Sequence, residues 1–230
     1  MNEHPSYLVF QHLERFLESR GLVPGEGADL DTPRDRFITE LDHIGYYRLD
    51  AASRGAAYKI ITILVLALRG KYTDHGPQLR GLVSSLNSED FAREGRLAEV
   101  IVVAPENIMK KKNMTDVIKD FRAAAAAEEP SPGTPGGPTP AADYYNMYPY
   151  HVFSLDIPRC QIVPLHEIVQ PAEVRAFLAR ERLALRDLPM VASSNPPVVW
   201  IGGRPGQVVR IRYPSETAGE AYNYCVIAGA

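Results

Sequence analysis

Residues 188–227, LPMVASSNPPVVWIGGRPGQVVRIRYPSETAGEAYNYCVI, carry the pattern that decides the fold. Val209, Ile211 and Tyr213 alternate with Arg210 and Arg212, the two-residue period of a half-buried strand over Gln207–Tyr213. Tyr222, Tyr224 and Val226 repeat the alternation after a polar loop, Pro214–Gly219. Two patterned strands joined by Pro, Ser and Gly predict an antiparallel pair. In the loop, the Ser215 and Thr217 hydroxyls suit capping of nearby backbone amides. Glu216 suits hydrogen bonding or a basic partner, and Gly219 permits positive φ where the chain reverses. Upstream, Gly202-Gly203-Arg204-Pro205-Gly206 lacks the Gly-Lys-Ser/Thr ending of a phosphate loop and leads into a strand, not a helix. It predicts a turn at which backbones approach closely.

Working outward, the preceding chain reads as alternating helices and strands. Ser6 suits an N-cap for a helix over Tyr7–Arg20, with Leu8, Leu13, Phe16 and Leu17 near one face and Gly21 as the stop. Thr32-Pro33 opens a second helix, with Phe37, Ile38, Leu41 and Ile44 inward. Residues 45–57 give no clear pattern. Tyr58–Leu68 is a continuous apolar run, predicting a strand covered on both faces, and Val100–Val103 predicts another. Gly76–Leu86 and Asn113–Arg122 carry helical spacing. Strand–helix–strand–helix order predicts an α/β layer with a largely parallel pair. Residues 123–142 hold five prolines and three glycines without an apolar period, the composition of a flexible insertion, with a helix extension through the alanines left open. A strand is expected near His151–Leu155, an extended run over Pro158–Pro164, and a helix from Pro171 with Val174, Phe177, Leu178 and Leu183 inward. The division is therefore residues 1–158, an α/β domain carrying the insertion, and 159–230, a small α+β domain.

Composition bounds the partners. Net charge is −3, with 25 basic and 28 acidic residues, which argues against nucleic-acid binding by bulk charge. Residues 1–158 carry −5 and residues 159–230 carry +2, so neither half is strongly basic. A hydrophobic share of 45% and a mean hydropathy of −0.18 suit a soluble globular protein. Cys160 and Cys225, the two cysteines, fit a reducing compartment and no disulfide framework. The first ten residues lack the basic segment and long apolar run of a secretory signal, and Ile60–Leu68 is too short to span a bilayer, so no membrane role is expected.

No pattern of catalytic chemistry stands out. The six histidines form neither H-x-x-x-H nor H-E-x-x-H, and there is no G-x-S-x-G elbow. No metal or cofactor is expected. His166-Glu167 reads as a packing pair ahead of a helix, and Cys160, between prolines, as a structural thiol. An α/β half raises a metal-dependent nuclease as an alternative. Such sites gather carboxylates and a lysine at a strand. Here Pro105-Glu106 follows the strand with Lys110 next, the wrong spacing, and Tyr58–Leu68 has no carboxylate. Lys110-Lys111-Lys112 reads as a solvated helix start. Its functional alternative is a weak, sequence-blind contact to phosphates, which leaves a stand-alone nucleic-acid-binding module as a third class. Arg204, Arg210 and Arg212 either solvate a strand face or meet carboxylates of a partner through their planar forks.

Several motifs in order carry a resemblance. Leu188-Pro189, Asn195-Pro196, Gly203, Gly206-Gln207-Val208-Val209 and Ser215-Glu216-Thr217-Ala218-Gly219, followed by Tyr222 and Tyr224, resemble the C-terminal domain of the fifth subunit of eukaryotic nuclear RNA polymerases. Archaeal RNA polymerases carry a shorter counterpart consisting of this domain alone. Ile162-Val163-Pro164-Leu165-His166 resembles the family segment ahead of the helix. The resemblance implies a jaw-like N-terminal α/β domain of truncated nuclease-like fold and a C-terminal assembly domain. It further implies a non-catalytic polymerase subunit that docks on the largest subunit and contacts other subunits, with the jaw near downstream DNA. It tips Arg204, Gln207, Arg210, Arg212, Ser215, Glu216, Thr217, Gly219 and Tyr222 towards a subunit interface. Lys110, Lys111 and Lys112 stay candidate DNA contacts. Three positions depart from the family: Asn195 for its Asp, Glu220 for a basic residue and Cys225 for the common Arg. These departures put partner contacts there in doubt and suggest a divergent member, encoded by a large DNA virus. The expected location is the nucleus, or the transcription compartment or virion of such a virus.

Overall fold

The computed structural model describes residues 4–25, 28–53, 60–67, 72–89, 97–127 and 145–229. Two compact units result, Met1–Ser154 and Leu155–Ala230. Most of the insertion expected at 123–142 lies outside the described residues, but the helix before it runs through the alanines to Ala127.

The first unit is built on a five-stranded sheet in sequence order: β1 (Leu22–Pro24), β2 (Tyr46–Ser53), β3 (Ile60–Leu66), β4 (Leu97–Ala104) and β5 (Tyr145–Pro149). The first three strands pair antiparallel, while β3–β4 and β4–β5 are parallel. The expected parallel pair is therefore present, extended by antiparallel strands that the apolar pattern did not announce. Alternation along β3 and β4 buries both faces, as a continuous apolar run requires. Leu64, Leu66, Val100, Val102 and Ala104 meet Leu79, Val83 and Leu86 of α3 (Tyr72–Asn87). A short helix, α4 (Glu106–Met109), and α5 (Lys112–Ala127) complete that layer through Ile108, Met114, Val117 and Ile118. Ile63, Val65, Ile101 and Val103 are wholly buried on the opposite face.

That opposite face is tied to α1 (Pro5–Ser19), whose stripe of Val9, Leu13, Phe16 and Leu17 is fully buried. Each such side chain contributes roughly 1.5–3 kcal/mol. Just past the helix, Arg20 Nη1 donates to Glu99 Oε2 of β4 at 2.7 Å, with both side chains under 10% exposed. Asn146 Nδ2 of β5 donates to the other Glu99 oxygen at 3.0 Å, and Arg122 Nη2 donates to Asn146 Oδ1 at 3.0 Å. One buried carboxylate thus joins α1, β4, β5 and α5.

Three local expectations in the first unit are corrected, and one unassigned stretch is filled. Helix α1 begins at Pro5 with His4 in the cap position, because proline pre-sets φ at the first helical residue; Ser6 is buried in the first turn. In α2 (Arg34–Ile44), Phe37 and Leu41 are buried but Ile44 is 57% exposed at the last turn, before Gly45 closes the helix with φ of 89°. The unassigned residues 45–57 contain β2, whose inward Leu49 and Ala51 alternate with Arg48 and Asp50. Arg48 bonds Glu89 at 2.8 Å and Asp50 at 2.7 Å, which satisfies charges that mask the strand period. The strand expected at His151–Leu155 is instead β5, ending at Pro149 where the ladder loses a donor; a 3₁₀ turn follows over Tyr150–Phe153.

The second unit is a four-stranded sheet, ordered β6 (Leu165–Ile168), β8 (Val208–Ser215), β9 (Gly219–Ala228) and β7 (Met190–Ala192). β6–β8 and β8–β9 are antiparallel, and β7–β9 is parallel. One face holds Val209, Ile211, Cys225 and Ile227 against Val198 of α7 (Pro196–Trp200). The other holds Val208, Tyr224 and Val226 against Val174, Phe177 and Leu178 of α6 (Pro171–Glu181), where Phe177 stacks on Tyr224 with centroids 4.0 Å apart. Leu183, expected inward, is 40% exposed, since α6 has ended. The extended run expected at Pro158–Pro164 contains a 3₁₀ turn, Ile157–Arg159, then a further turn before β6.

Replacing Glu99 with Ala leaves Arg20 buried without its carboxylate. Glu99→Ala is expected to lower unfolding free energy by about 3 kcal/mol or more in urea titration. An unchanged midpoint would show that the network carries no stability.

Candidate functional site

The terminal hairpin is set by contacts at both ends. Val208 faces Val226 and the ladder runs without a register shift to Ser215 opposite Gly219. The turn is therefore only Glu216, Thr217 and Ala218; Pro214 and Ser215 belong to β8, not to the loop. Gly219 takes φ of 72°, the left-handed conformation that favours glycine. Ser215 Oγ accepts from the Ala218 amide at 3.3 Å, as expected of a capping hydroxyl. Thr217 Oγ1 instead meets Ser215 Oγ at 3.5 Å. All of 216–218 is exposed.

At the other end, the glycine-rich turn clamps β9. Gly206 donates its amide to Ile227 O at 2.8 Å, and Ile227 donates to Gln207 O at 2.8 Å. Gln207 Oε1 accepts from the Arg204 amide at 2.8 Å, so its side chain holds the turn rather than projecting outward. Gly203 lies where an added Cβ would sit 2.6 Å from Ile227 Cδ1 and 2.8 Å from Val198 Cγ1. The close backbone approach expected of this turn is thus present.

The arginines already have partners within the chain. Arg210 Nη2 donates to Glu167 Oε2 of β6 at 2.8 Å, and its Nη1 donates to Glu173 Oε1 of α6 at 2.8 Å. The bond to Glu167 raises the Arg210 pKa further. Arg212 Nη1 donates to Glu220 Oε1 at 3.2 Å, and the exposed Tyr222 hydroxyl donates to the other Glu220 oxygen. That bond raises the phenol's pKa. Glu220, where the resemblance leads to the expectation of a basic residue, is therefore the charge partner of Arg212. Cys225 lies in the core beside Val209 and Ile227, and burial pushes its thiol up. Its departure from arginine alters packing rather than surface charge. Among the described residues, the Arg204 guanidinium has no ion-pair partner.

Tyr222, Tyr224 and Val226 share the face of Arg210 and Arg212; the deeper residues of β9 are Cys225 and Ile227. His166-Glu167 precedes helix α6, as expected, and itself lies in β6. There Glu167 is paired with Arg210, a contact legible only once Glu167 is registered opposite Arg210. His166 Nδ1 lies 2.7 Å from Pro164 O, and burial outweighs that bond to hold the imidazole below its ordinary range.

In the first unit, Lys110, Lys111 and Lys112 are exposed, where α4 ends and α5 begins. They belong to the first unit, and the hairpin residues belong to the second. The carboxylate buried in β4 is Glu99, already held by Arg20 and Asn146. Among the described residues, no three His, Cys, Asp or Glu side chains are grouped to hold a metal ion. No helix among them is long and apolar enough to cross a membrane.

With this geometry in place, likeness to known proteins defines the class, that of RNA polymerase subunits. The family model "RNA polymerase Rpb5, C-terminal domain" matches residues 155–227. The "DNA-directed RNA polymerase RPB5 homolog" of African swine fever virus isolate Pig/Kenya/KEN-50/1950 is 34% identical over 210 residues, 91% of each chain. The homolog of the Badajoz 1971 strain is 33% identical over the same share. The "DNA-directed RNA polymerase subunit Rpo5" of Thermococcus celer is 38% identical over 72 residues, 31% of this chain and 88% of its own. The chain belongs to the Rpb5 family.

Gly203→Ala is expected to cost about 1–3 kcal/mol by overpacking Val198 and Ile227, read as a lower thermal midpoint; an unchanged midpoint would show that the clamp is loose. His166 gives a pH signature. Its folded pKa is depressed, so the unfolded chain binds more protons, and stability rises with pH until the unfolded imidazole has titrated, near pH 6.5. His166→Gln is expected to flatten the stability slope below that pH, measured by denaturation at stepped pH values.

Proposed function

We infer that this chain is a structural, non-catalytic subunit of a DNA-directed RNA polymerase. The observation that carries this reading is the 34% identity to a viral RPB5 homolog across 91% of both chains. The family model over residues 155–227 and the 72-residue likeness to archaeal Rpo5 support the C-terminal unit as the assembly module. We assign docking on the largest subunit to this unit. Arg204, Glu216 and the exposed Tyr222 ring are its most available contacts, since Gln207, Arg210, Arg212 and the Tyr222 hydroxyl are engaged within the chain.

The first unit then serves as a jaw near downstream DNA. Lys110–Lys112 offer a weak contact there, releasing at most about three counterions, too few to bind DNA alone. The viral source of the relatives favours the transcription compartment or virion of a large DNA virus over the nucleus.

Removing 188–230 deletes β7, α7, β8 and β9. The truncated chain is expected to be absent from purified polymerase when co-expressed with the other subunits, while the full chain is retained. Retention of the truncated chain would place the interface elsewhere.

A further inference from the structure

β9 is longer than the strands that flank it. On one side β8 covers it from Gly219 to Val226. On the other, β7 covers only Val226–Ala228. The direction of each backbone group follows from the bonds at the covered end. Ile227 donates to Gln207 O on the β8 side, and Val226 donates to Pro189 O on the opposite side, each at 2.8 Å. Strand groups alternate, so Glu220, Tyr222 and Tyr224 direct their N–H and C=O away from β8. Among the described residues, no backbone group meets them on that side. The result is an open ledge of three donors and three acceptors, roughly 17 Å long.

Exposed strand edges invite pairing, and proteins usually blunt them with lysine, proline, bulges or a covering element. This ledge has none of these. Glu220–Tyr224 contains no Lys or Pro, and the β8–β9 register carries no shift. Its one charge, Glu220, is taken up by Arg212 on the neighbouring strand. Apolar surface flanks the open stretch on one face. Met190, opposite Val226, is 77% exposed, and Tyr222 is 47% exposed on the same face.

We propose that the outer edge of β9, from Glu220 to Tyr224, receives an extended strand of a partner polypeptide whose alternate side chains are apolar. Main-chain bonds supply the affinity. Apolar side chains of the added strand cover Met190 and the Tyr222 ring, where a charged strand would find no counter-charge left by the Arg212–Glu220 pair. The proposal rests on the reading of the chain as a polymerase subunit, which makes the partner strand part of another subunit.

Proline separates backbone from side chain. Proline is tolerated on an edge strand when its missing N–H faces outward, so Tyr222→Pro leaves the β8 ladder intact, while Tyr222→Ala removes the ring and keeps the N–H. Full-length wild-type and variant chains would be titrated against the remaining polymerase subunits from the same source, with circular dichroism confirming that each is folded. Tyr222→Pro is expected to bind about tenfold or more weaker than Tyr222→Ala. Glu220→Pro, against Glu220→Ala, is the second pair should the first proline unfold the chain. Amide exchange at Glu220, Tyr222 and Tyr224 is expected to slow on assembly, while Ala221 and Asn223 are unaffected. Equal binding of the Pro and Ala members, with the wild-type chain still assembling, would overturn the added strand and leave the polymerase reading standing. A wild-type chain that binds no polymerase subunit would overturn both. Slow exchange at these amides in the chain alone, with a dimer mass, would assign the ledge to a second copy and overturn the proposal.

Discussion

The second unit depends on the register of β8 against β9. Side chains alternate with a period of two, so a one-residue slip would move Cys225 and Ile227 to the α6 face and Tyr224 and Val226 to the α7 face. Two local devices prevent the slip. A three-residue turn closed by the left-handed Gly219 fixes one end, and the Gly203–Gln207 clamp on Ile227 fixes the other. Everything else in the unit follows from this register. Val198 of α7 packs beneath one face, Phe177 stacks on Tyr224 over the other, and Glu167 comes opposite Arg210.

The surface charges follow from the same register. The resemblance leads to the expectation of a basic residue at Glu220, so this carboxylate looks in isolation like the loss of a partner contact. In the folded sheet it lies within reach of Arg212. Exposed pairs of this kind contribute little stability, in the range of about 0–1 kcal/mol. Their consequence is to neutralise the hairpin's charge and leave an aromatic and apolar rim. The first unit solves a different problem. Its sheet is buried on both faces, and the buried carboxylate of β4, Glu99, is answered by Arg20 and Asn146 from separate elements.

How much was legible in the sequence differed by element, for physical reasons. β3, β4 and the β8 alternation were plain because burial imposes an apolar pattern that sequence shows directly. β2 was hidden because Arg48 and Asp50 stand at positions whose charges are satisfied by Glu89 and by each other. The role of Glu167 required a tertiary fact, the pairing of β6 with β8, since 43 residues separate it from Arg210. The core position of Cys225 was obscured because both faces of β9 are packed, Tyr224 and Val226 against α6 and Cys225 and Ile227 against α7. Turn chemistry fared better, since Gly203, Ser215 and Gly219 each behave as their residue type dictates.

Purification of the tagged full-length chain from its native source, followed by native mass spectrometry, tests whether this chain works as a resident part of a polymerase. One copy of the 25.5 kDa chain is expected within an assembly containing the largest polymerase subunit. A stable monomer recovered with no polymerase subunit would contradict it.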